Sequence, residues 1–549
     1  MNLLRLLRQG GSGSMRSLFL GAAASSLGTT IVLGVVNQAA EEIAREQADF
    51  VDGPLLLAFV ASILFYMWSE SWMVGRLSAD MEEAIDRLRM RLIGHIRHAD
   101  LWRLECFGQS RLYETIVQNC QAISSNSQYL AQAACSVVLT VAIMIYIATI
   151  SLMAFTLLGG FLGIAALIYY RQNRVLDERQ QALMQQETRL FESISDLLDG
   201  FKEQRLNRQR SADLNTGFIG LSRTTADLRS EVHGLSWKQF VFGEMAFNLM
   251  LGIVVFVVPR YAPDVSGELL KISGAVLFMS APIFGLMQSL AIMRMAEGAA
   301  GRMMDLEGEL EALAEPGSRA PGLPLPSPFK EIRMAGVEYT FPAPEGERGF
   351  AVGPFDVSIR RGEVIFVTGG NGAGKSTFIK LLTGLYRPDR GQLLVDRMVV
   401  STAQLMNYRA LMAPIFYDFH LFARLYGISG FEQEMADSLM LWMEMEKVTR
   451  VEADRFAKIR LSTGQRKRLA LVAAILEAKP VLILDEWAAD QDPHFRAKFY
   501  REIVPELKRR GLTIIAVTHD DRYFDAADRR WHLEEGRLTE WPQAAGSAP

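Results

Sequence analysis

The run GGNGAGKST, from Gly369 to Thr377, sets four glycines ahead of a lysine and two hydroxyls. It follows an apolar run, EVIFVT (363–368), and precedes a helix-like run at 378–385. Strand, loop and helix in that order are the context in which G-x-x-x-x-G-K-S becomes a phosphate-binding loop. The glycines let backbone N–H groups close around phosphates, and the helix that follows presents its positive end to them. Lys375 would reach the β- and γ-phosphates, and the Ser376 hydroxyl would bind Mg2+. Gly369, Asn371, Gly372, Gly374, Lys375, Ser376 and Thr377 are therefore the candidate phosphate contacts.

A second stretch, VLILDEWAADQDP (481–493), buries four apolar residues and ends on two acids and a tryptophan. It reads as another strand of the same sheet. Adjacent acids at a buried strand end are costly unless a metal and a nucleophile need them. Asp485 is expected to hold the Mg2+ through water, and Glu486 to orient or deprotonate the attacking water. A third strand, 512–517, ends on Thr518 and His519. A lone histidine is usually structural. Beside a phosphate loop and an acid pair, His519 suits contact with a γ-phosphate.

These residues need a scaffold, and the chain supplies an uneven one. It has 549 residues and is half hydrophobic, which implies more than one domain. Its mean hydropathy of +0.11 is high for a chain with 22% charged residues, so one part must be very apolar. The net charge of −4 gives no sign of a nucleic-acid partner. Three cysteines, Cys106, Cys120 and Cys135, make neither a disulfide framework nor a metal spacing.

Six apolar runs fill the first 300 residues, near 17–37, 54–74, 130–147, 151–170, 240–258 and 272–293. Each approaches the roughly 20 residues that a bilayer span requires. The segments after the second and fourth runs are long and arginine-rich, whereas the one after the first is acidic. Positive charge marks the cytoplasmic side, so both termini are expected there. Apolar residues at helical spacing in 84–96 and 174–198 predict that the spans continue well beyond the membrane, with turns near 101–108 and 200–207. Glu70 and Glu244 sit in or near spans and should face a cavity or a partner. The stretch EPGSRAPGLPLPSPFK, 315–330, cannot form a regular element and marks a linker. The expected domains are a membrane domain, 1–311, a linker, 312–330, and a nucleotide-binding domain, 331–549.

Together these pieces resemble the ATP-binding cassette (ABC) transporters. The diagnostic piece is LSTGQRKRLAL (461–471), similar to the family's L-S-G-G-Q signature with Thr463 in place of the first glycine. The resemblance implies an α-helical six-span membrane domain of exporter type followed by an α/β P-loop NTPase domain of ABC type. It implies ATP and Mg2+ as cofactors, with Ser462, Gly464 and Gln465 contacting ATP held by a second copy, hence a homodimer. Phe341 falls where the family stacks an aromatic ring on adenine, and Asp492 at its D-loop aspartate. LSTGQRKRLAL, DEWAADQDP, THDDRYF, FHLF and LLDGFKEQRLN together resemble the bacterial cyclic-peptide exporters, which carry siderophores, lipopeptides or microcins across the inner membrane. The second expected turn then resembles a coupling helix.

One position departs from the family. Its Q-loop glutamine should stand at 417, where this chain has Tyr417. A phenol is a poor Mg2+ ligand, and water or Asp418 is expected to fill the gap. A lipid or drug exporter of the same fold is the alternative reading, and a non-pumping channel or regulator a more distant one. With the first span expected to begin near residue 17, no peptidase domain is expected ahead of it.

Overall fold

The computed structural model describes residues 2–10, 14–44, 53–261, 268–315, 324–326, 328–342, 349–428 and 430–541. The chain divides into two compact units, Met1–Arg91 with Leu112–Leu306, and Leu92–Arg111 with Glu307–Pro549. Much of the proline-rich stretch 315–330, and Glu46, Asp49 and Asp52, lie outside the described residues.

The first unit is helical. Among the described residues, six helices are long and apolar enough to cross a membrane: Arg16–Ala39, Gly53–Arg97, Thr115–Ile150, Leu152–Asp199, Arg208–Tyr261 and Leu269–Ala312. Each holds one of the six expected spans. The helix Leu152–Asp199 has 48 residues, so it is about 70 Å long and exceeds a hydrocarbon core of about 30 Å more than twofold. Its polar half pairs with the helix Arg208–Gly252 through a small apolar cluster, Leu176, Leu183 and Val232. Arg229 meets Glu187 at 2.5 Å and Arg179 meets Glu231 at 3.3 Å. The expected turn between these two helices is itself a short helix, Phe201–Leu206. Asn207 starts the next helix by accepting from the Gln209 and Arg210 backbone N–H groups at 3.1 and 3.0 Å.

The apolar halves pack a core that includes Ile143, Ile147, Leu158, Met250, Val254 and Val276. At Ile253–Val257 the fifth of the six helices widens into a π-turn.

The second unit is built on two sheets. The larger has six strands in the order Arg537–Trp541, Arg529–Glu534, Val364–Gly369, Thr513–Val517, Val481–Asp485 and Met412–Ile415. All neighbours are parallel except the first pair. Val364–Gly369, Val481–Asp485 and Thr513–Val517 are buried at every position, as continuous apolar runs in a covered parallel sheet should be. The smaller sheet is antiparallel, in the order Ala351–Arg360, Glu331–Thr340, Arg390–Val395 and Met398–Val399. The first expected turn is the helix Leu101–Phe107, capped by Asp100, whose Oδ1 accepts from the Arg103 N–H at 3.1 Å. Leu101 and Trp102 pack on the core beside the smaller sheet, which is why this segment belongs to the second unit.

Candidate functional site

The parallel register brings the C-terminal ends of three strands together. Ala516 stands opposite Phe366, and Val517 opposite both Val367 and Asp485. Whatever follows those strands therefore converges on one crevice, where open α/β sheets bind ligands.

From the central strand comes the glycine loop. Gly369 has φ +151°, and a Cβ there would lie 2.3 Å from the Leu533 carbonyl oxygen. Gly374 has φ +98° and leads directly into the helix Lys375–Leu382. Only glycine fits both positions. The Lys375 side chain is buried, and its Nζ donates to the Gly369 and Gly370 carbonyls at 3.0 and 3.1 Å. Asn371, Gly372 and Ser376 are exposed around it, and Thr377 is half-buried. A glycine loop, a helix start and an ammonium are thus brought together, an arrangement that can hold a polyphosphate.

The neighbouring strand delivers the acids. Asp485 is 3% exposed. Burial, and secondarily the charge of Glu486, hold its carboxyl above the usual carboxylate range, against the pull of the Tyr417 backbone N–H and Lys375. Glu486 turns into the left-handed region, φ +49°. That turn carries its side chain away from the strand line. Its Oε1 lies 3.4 Å from His519 Nε2 and 3.9 Å from Lys375 Nζ. His519, from the third strand, is half-exposed. Three residues more than a hundred positions apart at the extremes thereby meet.

Trp487, directly behind the acids, is fully buried, with its ring 4.6 Å from that of Phe499. Its Nε1 donates to the Lys467 carbonyl at 2.8 Å, which ties the strand end to the helix Thr463–Leu476. Ser462 caps that helix: its Oγ accepts from the Gln465 N–H at 3.4 Å, and Gln465 Oε1 accepts from the Ser462 N–H at 3.3 Å. A Cβ at Gly464 would come within 2.5 Å of the Asp490 carbonyl oxygen, so glycine is required there by close approach. Among the described residues, no hydrogen bond or ion pair joins Ser462, Gly464 or Gln465 to the loop 369–377.

Phe341 lies just beyond the strand Glu331–Thr340 and remains half-buried. Trp102 meets it edge-on at 4.9 Å and Tyr339 at 5.1 Å. The neighbouring Tyr386 donates to Glu105 at 2.7 Å, and Lys380 reaches the same carboxylate at 2.8 Å. Nothing in the spacing of Trp102, Glu105, Lys380 and Tyr386 foretells this cluster.

Residues 352–489 match the family model described as ABC transporter. The energy-coupling factor transporter ATP-binding protein EcfA2 of Streptococcus sanguinis (strain SK36) is 31% identical over 231 residues, covering 39% of this chain and 82% of that protein. The chain belongs to the ABC transporter family. The ATP-binding protein SyrD of Pseudomonas syringae pv. syringae is 37% identical over 303 residues, 54% of either chain, so the match spans about half of that relative's length. A solved structure of a bacterial Atm1-family ABC exporter with ATP bound superposes with a TM-score of 0.71 at 18% identity, covering 97% of this chain and 95% of that one. The fold is that of an ABC exporter.

Within this ABC exporter fold, Tyr417 is 62% exposed. Its backbone N–H serves Asp485, and its ring centroid lies 5.5 Å from Lys467 Nζ. Asp418 is exposed nearby, and its negative charge helps to raise the Asp485 pKa. Asp492 caps the helix Pro493–Lys498 by accepting from the Phe495 N–H at 3.0 Å. That hydrogen bond, with Arg468 at 2.8 Å, holds the Asp492 carboxyl below the usual range.

The membrane unit contains a cavity of about 500 Å³ lined by Phe161, Phe247, Met250 and Met287, with Asn173 and Arg294 among its few polar residues. Arg294 holds both oxygens of Asp177, at 2.7 and 2.8 Å. Neither acid singled out in the sequence lines this cavity. Glu70 is half-buried and hydrogen-bonded to Tyr66, and Glu244 is exposed.

Proposed function

We propose that this chain is an ATP-driven exporter that works as a homodimer in the bacterial inner membrane, with both termini cytoplasmic, and that its cargo is a peptide. The observation that carries the ATPase reading is the placement of Glu486 between Lys375 and His519 at the mouth of the glycine loop. In this reading Lys375 binds the β- and γ-phosphates, Glu486 orients the attacking water and accepts its proton, and His519 contacts the transferred phosphoryl group. Phe341 offers a ring face to adenine. Ser462, Gly464 and Gln465 bind the γ-phosphate of ATP held by a second copy. That no hydrogen bond or ion pair joins that segment to the loop of its own chain, among the described residues, is consistent with two composite sites in a dimer.

A divalent cation fits the site. Asp485 is a buried carboxylate with two further acids near it and its pKa raised, so an added cation would stabilise its ionised form. Among the described residues no group of three or more His, Cys, Asp or Glu side chains could hold a metal by itself. That suits Mg2+, which is usually bound by one or two protein ligands and the substrate's phosphates rather than by an all-protein cage. Ser376 and Asp485 would hold it, and its charge would offset that developing on the phosphates.

Support for a peptide cargo comes from the motif group that includes Thr463 and Trp487. The cavity favours a second reading, since its largely apolar lining would also suit an acyl chain. ATP-driven uptake into inside-out vesicles tests both, using labelled cyclic peptides and labelled lipids, with Glu486→Gln as the blank. Uptake of a peptide without lipid movement supports the proposal. Lipid movement alone makes the protein a flippase.

A further inference from the structure

We propose that Lys467 is a positioning residue for Glu486, and that Tyr417 replaces the family's glutamine because its ring closes over that lysine. The proposal rests on the ATPase reading above. Lys467 is wholly buried, with 0% of its side chain exposed. A buried ammonium is costly unless all its hydrogens are used, and it has three. One goes to the Glu486 carbonyl oxygen at 2.7 Å. One goes to the Asp490 carboxylate at 2.7 Å. Nζ also lies over the Tyr417 ring, 5.5 Å from its centroid and within reach of a cation–π contact.

Each partner matters to the chemistry. Glu486 has φ +49°, a conformation that a residue with a Cβ adopts at a cost, and the fold must hold it there. Its N–H donates to Val517 at 3.2 Å, and its carbonyl is held by Lys467. Together these two bonds fix the peptide units on both sides of the residue whose carboxylate faces His519. Asp490 belongs to the segment that approaches Gly464, so the same ammonium also secures the signature segment. Trp487 then holds the Lys467 backbone by its indole N–H. A Q-loop glutamine would offer an amide oxygen to a metal. Tyr417 instead offers a π-face to a fixed cation. A shift of Tyr417 would thereby be felt at Glu486 without any metal contact.

The test is steady-state ATP hydrolysis by the purified full-length protein in lipid nanodiscs. Wild type must hydrolyse ATP and Glu486→Gln must do so about 100-fold or more slowly; otherwise the ATPase reading itself has failed and not this inference. With that satisfied, Lys467→Met is expected to lower kcat at least about tenfold and leave the KM for ATP within about twofold, the pattern of misplaced chemistry with intact binding. Lys467→Gln, which can still donate to the Glu486 carbonyl, should recover part of the loss. Because Lys467 is buried, Lys467→Met could fail to fold, and the exposed Tyr417 gives an independent arm. Tyr417→Phe keeps the ring and should retain kcat, whereas Tyr417→Leu should lower it severalfold with no change in melting temperature. In a folded Lys467→Met background, Tyr417→Leu should add nothing. Wild-type kcat in folded Lys467→Met, equal activity of Tyr417→Leu and Tyr417→Phe, or additive effects would each overturn the proposal. So would Tyr417→Gln with raised turnover or raised Mg2+ affinity, since that would mark position 417 as a lost metal ligand.

Discussion

Glu486 Oε1 and His519 Nε2 lie 3.4 Å apart, although the two residues leave different strands. The pairing follows from the parallel register of Val481–Asp485 with Thr513–Val517. In the proposed mechanism it marks where the attacking water would be oriented. Glu486→Gln keeps the shape and removes the proposed base. ATP binding is expected to persist while turnover falls about 100-fold or more, the lower range for loss of a general base. Nucleotide binding and single-turnover hydrolysis measure the two separately. Wild-type turnover in this variant would remove Glu486 from the mechanism.

Asp485 gives a prediction in which stability and activity move apart. Burial raises its pKa, so ionisation costs the folded state above that raised value, and the cost disappears as pH falls through it. Asp485→Asn removes the charge and can still accept from the Tyr417 N–H. The full-length variant should therefore melt no lower than wild type at neutral pH. Hydrolysis should nevertheless fall at least about 100-fold if the carboxylate holds the metal. In wild type, Mg2+–ATP binding should weaken on acidification at a higher pH than an ordinary aspartate would give. Thermal melts and binding at a series of pH values check the signs together.

Trp487 should prove structural first. Trp487→Ala empties a fully buried site against Phe499 and strands the Lys467 carbonyl. A loss of about 3–5 kcal/mol is the usual scale for such a truncation. The full-length protein should melt at markedly lower temperature, and Trp487→Phe should fall between the two. An unshifted melting curve for Trp487→Ala would refute this account of the aromatic.

Phe341 tests the adenine contact. Phe341→Ala should raise the KM for ATP about tenfold, in line with stacking worth about 1–3 kcal/mol per base, whereas Phe341→Tyr should stay near wild type. If Phe341 serves only the cluster with Trp102 and Tyr339, Phe341→Ala would lower the melting temperature and leave KM unchanged.

Much of this protein was legible in its sequence, because the signals were local. A loop that cradles phosphates needs glycines at fixed offsets from a lysine such as Lys375, and a bilayer needs about twenty apolar residues in a row. Each can be read from a window of the chain. The short helices Leu101–Phe107 and Phe201–Leu206 were foreshadowed as turns by the interruption of helical periodicity around them. The Tyr417 departure was visible too, but only as a missing amide.

What the sequence could not convey is which distant residues share a space. Lys467 sits in a run of charges, GQRKRL, that looks like a solvated helix face. Only packing shows that one of those charges is wholly buried, and that a tyrosine fifty positions earlier covers it. Glu70 and Glu244 stood out because an acid in an apolar run is anomalous on its own. Asn173 and Arg294, which line the cavity, did not, since they fall where a helix leaves the membrane and polar residues are ordinary. The sequence alone thus determined the glycine loop, the adjacent acids, the six apolar runs and their order, since each is a property of consecutive residues. The tertiary structure alone decided the cation that holds Glu486 and the residues that line the cavity, since each depends on strand register and helix packing between segments far apart in the chain.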